Sequence, residues 1–338
     1  MAFLSIMGKT IPKIYFFTFI FSWTMLIGCA TQHTTATKNY PLNIPTSQQK
    51  TMEFSDKQYC IYDSKGKKTP LEQILYQIGL VQVVFLGEMH NDPVAHALQH
   101  MILHKTTDRY WNNSNSSKRR QIVLSLEMFE RDVQMVLDEY LLDIIDEHHF
   151  LSCVRPWKNY YEDYHPLIHY AKKNNLKVLA SNAPRRYVHR VAQLGEKSLE
   201  DLSTFAKTWI APLPIKPPSE KMKRNFYDLQ KKGQMMLSAH KDMSSTSYLI
   251  DAQNLWDATM AYSISEVLSN TPKVLVLHLN GFFHTLSGTG IPEHLTHYRP
   301  NVKIMVINIV QNDSFPGFNP QLMGCGDFVI ITDPNIRR

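Results

Sequence analysis

Two stretches of this chain place a histidine three positions after a glycine that ends an apolar run. They are Gly87-Glu88-Met89-His90 in "VVFLGEMHNDP" and Gly281-Phe282-Phe283-His284 in "KVLVLHLNGFFHT". Glycine lets the backbone turn tightly, and the histidine can then project back over the end of the segment before it. Two imidazoles with Glu88, or with Glu127 of "QIVLSLEMF", make a nitrogen–oxygen donor set suited to Zn, Mn or Fe. Asn182 and Arg185 close a third run, and His278 and Asn280 lie in the fourth, ahead of His284. Structural readings compete with the chemical ones. His90 can cap the helix that begins near Asp92, Glu127 can form a buried ion pair with Arg185, and Asn182 is a natural N-cap. His278, inside its run, reads as a core histidine.

Two further patterns could bear on a site. His96, His100 and His104 recur every fourth residue on one helical stripe, and His96 sits nearest the turn that follows the first run. In "AQNLWDATMAYSI", Gln253 and Asp257 share a helical face with Trp256 and Met260 close by. A polar pair on an apolar stripe suits a face that hydrogen-bonds the histidines and sets their tautomers.

The elements that must position these groups follow a repeating pattern. Residues 81–88, 121–129, 176–184 and 273–281 are Val-, Leu- and Ile-rich runs without clean alternation, as strands buried on both faces require. A first strand is expected in 58–71, and two more at 303–310 and 328–332. Helical patterns at 92–105, 131–149 and 163–175 lie between, and 106–120 reads as an exposed loop. The alternation predicts an α/β fold with a mostly parallel central sheet flanked by helices. From 195 to 269 no strand is evident, and the segment reads as a helical insertion or lid. In open parallel sheets ligands bind beyond the carboxyl ends of the strands, where the reactive residues above would gather on one rim.

The N-terminus reads as an export signal. Two lysines precede "IYFFTFIFSWTMLIG", a run short for a membrane span of about 20 residues but suited to a secretory core. It ends in Leu26-Ile27-Gly28-Cys29, which resembles a bacterial lipobox with Cys29 as the lipidated residue. The expected organisation is a signal peptide over 1–28, a polar tether over 29–55 and an α/β domain over 56–338. Without Cys29 the chain keeps Cys60, Cys153 and Cys325, an odd number that cannot complete a disulfide framework. The formal net charge of +6 is mild and scattered, which leaves no electrostatic footprint for nucleic acid.

"VFLGEMHNDPVAHALQHMIL", "LSLEMFERDVQMVLDEYL", "ASNAPRRYV", "AQNLWDATMA" and "NGFFHTLSGTGIPEHL" together resemble the ChaN-like haem-binding lipoprotein family. That family is a branch of a broader group with the Tiki and TraB proteins and the erythromycin-esterase-like enzymes. The resemblance implies a periplasm-facing lipoprotein of the bacterial outer membrane, working with haem-uptake systems and an outer-membrane haem receptor. It implies a homodimer holding haem in a shared pocket, with tyrosine on the iron and histidine assisting at the propionates. In the Tiki branch the two G-x-x-H histidines and a glutamate hold a catalytic divalent metal, and His90, His284, Glu88 and Glu127 match those positions. The second motif departs from the branch pattern, G-N-G-H followed by Val, because Phe282 and Phe283 precede His284 and Thr285 follows it.

The tyrosine cannot be placed from sequence among Tyr160, Tyr161, Tyr164, Tyr187 and Tyr227. The stretch "NFYDLQKKGQMMLSAH", with Tyr227, two methionines and His240, has a composition suited to a haem face and equally to a helix contact. The expected function is a lipid-anchored haem-binding protein for haem uptake or storage. The alternatives are a metal-dependent hydrolase, with a bound ion activating water and a carboxylate as general base, and a catalytically empty scaffold. No HExxH or GxSxG motif is present, which removes the common hydrolase classes.

Overall fold

The computed structural model describes residues 55–115, 118–231 and 248–336. The expected signal segment, Cys29 and His240 therefore lie outside the described residues. Seven strands form one sheet: β1 (Tyr59–Asp63), β2 (Val83–Glu88), β3 (Gln121–Glu130), β4 (Lys177–Asn182), β5 (Val274–Gly281), β6 (Ile304–Gln311) and β7 (Phe328–Thr332). Their order is β1-β7-β6-β2-β5-β3-β4, parallel throughout except that β1 runs antiparallel to β7. Every residue of β2 and β5 is buried, which explains the unbroken apolar runs: both sheet faces are covered.

Alternate side chains of each strand feed opposite layers. Val84, Leu86, Leu124, Leu126, Leu277 and Ile307 enter the larger core. It is closed by α1 (Leu71–Ile78), α2 (Pro93–Thr107), α3 (Gln134–Leu141), α4 (Glu147–Val154) and α5 (His165–Lys173). Val83, Phe85, Val123, Val276 and Val306 face the other way. They meet Met260, Ala261 and Ile264 of a 22-residue helix, Leu249–Asn270, and Ile291 and Leu295 of the helix Ile291–Tyr298. Three helices precede these two in the chain, α6 (Arg185–Leu194), α7 (Thr204–Lys207) and α8 (Glu220–Lys231), so the last pair are α9 and α10. Among the described residues 195–269 contains no strand, and its final helix α9 belongs to the layer that covers the sheet.

Two helical expectations are corrected. The periodic stretch 131–149 is not one helix: α3 stops at Leu141, Asp143 takes a positive φ of 58°, and α4 begins after Asp146. Asp146 accepts the amide of His149 at 2.8 Å, a side-chain cap that starts the new helix. The expected loop after α2 instead continues as a wide helical turn, Asp108–Asn112, in which the Tyr110 hydroxyl donates to the Leu75 carbonyl at 2.6 Å.

The strand order fixes where a ligand can bind. The chain leaves β2 toward β3 on one side and leaves β5 toward β6 on the other. Neighbouring strands whose exits diverge open a crevice at their carboxyl ends. Both G-x-x-H segments begin there, with Glu88 in register with Gly281.

Candidate functional site

The first histidine is held by its own strand. Glu88 is buried at the end of β2, and its Oε1 accepts from His90 Nδ1 at 2.9 Å and from the Tyr164 hydroxyl at 2.6 Å. Its Oε2 accepts from the Gln99 amide at 2.6 Å and lies 3.4 Å from His96 Nδ1. A carboxylate with this many donors stays ionised. Burial pushes its carboxyl up, yet His96, His90 and Tyr164 prevail and hold it below the usual range. Burial likewise works to lower the His90 imidazole, and Glu88 and Glu127 raise it instead. With Nδ1–H given to Glu88, His90 carries Nε2 over Gly281, and its side chain keeps 35% exposure.

The second histidine is built the same way from other elements. His284 follows β5 in a short helical turn, and its Nδ1 lies 2.5 Å from Asp257 Oδ1 on α9. Gln253, one turn earlier on α9, donates to the same carboxylate at 3.3 Å. Nε2 points at Glu127 Oε1, 3.4 Å away, while Glu127 Oε2 accepts the Gly281 amide at 2.7 Å. Burial alone would lower His284, but the Glu127 and Asp257 carboxylates hold it up to about 10. Burial would raise Glu127, and His284, His90 and the Gly281 N–H bring it down to about 2. At neutral pH this is an imidazolium between two carboxylates.

Glycine at the two motif starts is a matter of close approach. A methyl group on Gly281 would sit 3.0 Å from Cε1 and Nε2 of His90 and 3.6 Å from Cδ2 of His284. Both imidazole edges therefore meet over the end of β5. A methyl on Gly87 would run into Asn308 Oδ1 and the Phe282 backbone.

The structure separates the remaining sequence candidates. Asp92, not His90, caps α2, accepting from Val94 and Ala95 amides at 2.9 and 3.2 Å. His96 is buried and turns inward, donating from Nε2 to the His90 carbonyl at 3.1 Å, so it braces the motif from behind. His100 and His104 pack on Tyr170 instead. Asn182 does not cap α6. Its Nδ2 donates to the Glu127 carbonyl at 3.0 Å, and its Oδ1 accepts the Ala183 amide, which ties β4 to the base of the rim. Arg185 is exposed at the start of α6, and Glu127 is instead held by His284 and Gly281. His278 is fully buried, bonded through Nδ1 to Ser125 Oγ at 2.8 Å, and burial drives it down to about 3.

Of the five tyrosines, Tyr164 is spent on Glu88 and Tyr160 is buried. Tyr227 is 52% exposed on α8, where the adjacent Phe226 packs toward Phe283. Gln99 and Asp163 were not singled out in the sequence, and Tyr164 was considered there only as a haem ligand, not as a partner of Glu88. Each lies outside both motifs, and only its contact with Glu88 or His96 marks it.

As a metal site the rim is incomplete. Among the described residues the one set of three donor atoms within 4.8 Å of one another is on the surface, and it does not include His90, His284, Glu88 or Glu127. The carboxylates of the rim are occupied by hydrogen bonds and ion pairs. A haem fits better. Partly exposed Met89, the Trp157 ring 4.8 Å from His90, and Phe283 and Trp256, each with its ring 6.3 Å from His284, offer apolar and aromatic surface beside the imidazoles.

Residues 74–295 match the family model for haem-binding uptake proteins of the Tiki superfamily, ChaN. The chain belongs to this family. Its fold is shared with a solved structure described as cofacial haem binding to ChaN of Campylobacter jejuni. That likeness has a TM-score of 0.60 at 21% identity and covers 82% of this chain and 98% of that one. A looser fold likeness, at TM-score 0.40 and 13% identity over 82% of this chain and 83% of the other, is to an erythromycin esterase in its open conformation. Among curated proteins the chain is 27% identical over 138 residues to Protein RETICULATA-RELATED 5, chloroplastic, of Arabidopsis thaliana. The match takes in 40% of this ChaN-family chain but spans 18% of the plant protein's length.

Proposed function

We propose that this chain binds haem at the β2–β5 rim and serves haem uptake or storage at the bacterial outer membrane, anchored by lipid on Cys29. Membership of the haem-binding ChaN family carries the reading. The rim supports it in chemical detail. Two imidazoles, each braced on a carboxylate through Nδ1, meet over Gly281 with aromatic surface beside them. His90, raised toward the cationic form and partly exposed, suits a propionate carboxylate, and Met89, Trp157 and Phe283 suit the porphyrin plane. Bound haem would supply an iron centre.

Hemin titrated into the purified chain tests this. A Soret shift saturating at a fixed stoichiometry is expected, weakened in His90→Ala, and no shift at stoichiometric hemin refutes it. Sedimentation of the loaded chain reads out the expected homodimer. Incorporation of labelled palmitate, lost in Cys29→Ser, tests the anchor. The approach of His284 Nε2 to Glu127 favours a second reading, a divalent-metal hydrolase. Hydrolytic activity that requires Mn or Zn and is lost in Glu127→Gln decides between the two.

A further inference from the structure

The three donor atoms that do converge lie where α4 begins, in residues outside both G-x-x-H segments. Asp146, His148 and His149 each offer a ligand atom, all within 4.8 Å of one another, and all three residues are exposed. Asp146 Oδ1 is engaged as the helix cap, taking the His149 amide at 2.8 Å and His149 Nδ1 at 2.7 Å. Its second oxygen makes neither of those contacts. The two rings stand edge to face with centroids 5.5 Å apart, and each still brings one donor atom within 4.8 Å of the other's and of Asp146's. Glu147, the residue between them and Asp146, turns the other way, toward His165 Nε2 at 3.1 Å.

We propose that Asp146, His148 and His149 form a surface site for a borderline divalent transition-metal ion, Zn2+ or Cu2+ in class, distinct from the haem rim. Two imidazoles and one carboxylate oxygen are the donors such ions prefer, whereas Mg2+ and Ca2+ favour oxygen alone. Ligand bonds of about 2.1 Å in a tetrahedral arrangement put donor atoms about 3.4 Å apart, so each contact here closes by about 1.4 Å at most. The side chains of Asp146 and His149 are 65% and 70% exposed, so rotation about their own torsions supplies that movement without disturbing the core. Three protein ligands leave a fourth position for water or a ligand from outside. The break between α3 and α4 creates the site: one continuous helix over 131–149 would leave Asp146 without its capping geometry.

The test is calorimetric titration of ZnCl2 into the tag-free full chain, with three variants beside it. Losing even an orienting partner of a ligand costs roughly 10–100-fold in metal affinity. The double variant His148→Ala/His149→Ala should therefore lose one zinc-binding step outright. Asp146→Asn keeps the cap but removes the charge, and should weaken that step with little change in thermal stability. His90→Ala, at the partly exposed rim histidine, should keep the step intact. With one equivalent of CuCl2, electron paramagnetic resonance should show nitrogen couplings that vanish in the His148→Ala/His149→Ala chain. Retention of the zinc step in that chain, or its loss in the rim variant, overturns the assignment.

Discussion

Glu127→Gln isolates the electrostatics of the rim, because it removes a charge and keeps the side chain's shape. Glutamine can still accept the Gly281 amide that now reaches Glu127 Oε2 at 2.7 Å. What it cannot do is face the His284 imidazolium as a carboxylate. The Glu127 carboxyl lies at about 2 in the folded chain against an ordinary 4.5. At about 1.4 kcal/mol per unit, the charge contributes on the order of 3 kcal/mol at neutral pH. A depressed carboxyl stabilises the fold above its ordinary value, and that stability is lost as pH falls from about 4.5 toward about 2. His284 is the same interaction from the other side. Raised to about 10, its contribution is whole below 6.5 and is lost as pH rises toward about 10. The two are one interaction and do not add. Urea denaturation across pH should therefore show Glu127→Gln less stable by about 3 kcal/mol at pH 7, with the difference shrinking at both extremes. Histidine NMR should show the His284 midpoint falling in the variant, partway only, because Asp257 remains. Stability within about 0.5 kcal/mol of the parent at pH 7, a range typical of inert surface changes, would refute the reasoning, as would an unmoved His284 midpoint.

Gly281→Ala places a methyl 3.0 Å from the His90 ring, and the overpacking should cost about 1–3 kcal/mol and weaken hemin binding, measured by urea denaturation and Soret titration. Tyr164→Phe removes a 2.6 Å donor to buried Glu88 and should cost about 1–3 kcal/mol, with His90 titrating at a changed pH in NMR spectra. His278, driven down to about 3 beside Ser125, should show no titration between pH 5 and 8, so a midpoint in that window would contradict its burial as a neutral ring.

Much of the architecture follows from the sequence for a simple reason. Strands buried on both faces carry few polar residues, so their apolar runs stand out and the polar residues at their ends are conspicuous. Glu88, Glu127, Asn182 and His284 are visible in that way. The break between α3 and α4 was not, because Leu142, Ile144 and Ile145 continue a helical apolar pattern, and the left-handed Asp143 and the Asp146 cap end it locally.

The sequence by itself determined which groups reach the strand ends, since burial along each strand dictates where polar chemistry can begin. It also carried the likeness to the ChaN family. Only the tertiary structure decided which groups meet. The insertion of β5 between β2 and β3, set by packing across the whole sheet, brings His90 and His284 together over Gly281. The same packing gives Glu88 to Tyr164 and His284 to Asp257, partners far away in the chain. Pairings between residues so distant in sequence leave no local signal, and they fix which nitrogen each histidine gives to its carboxylate.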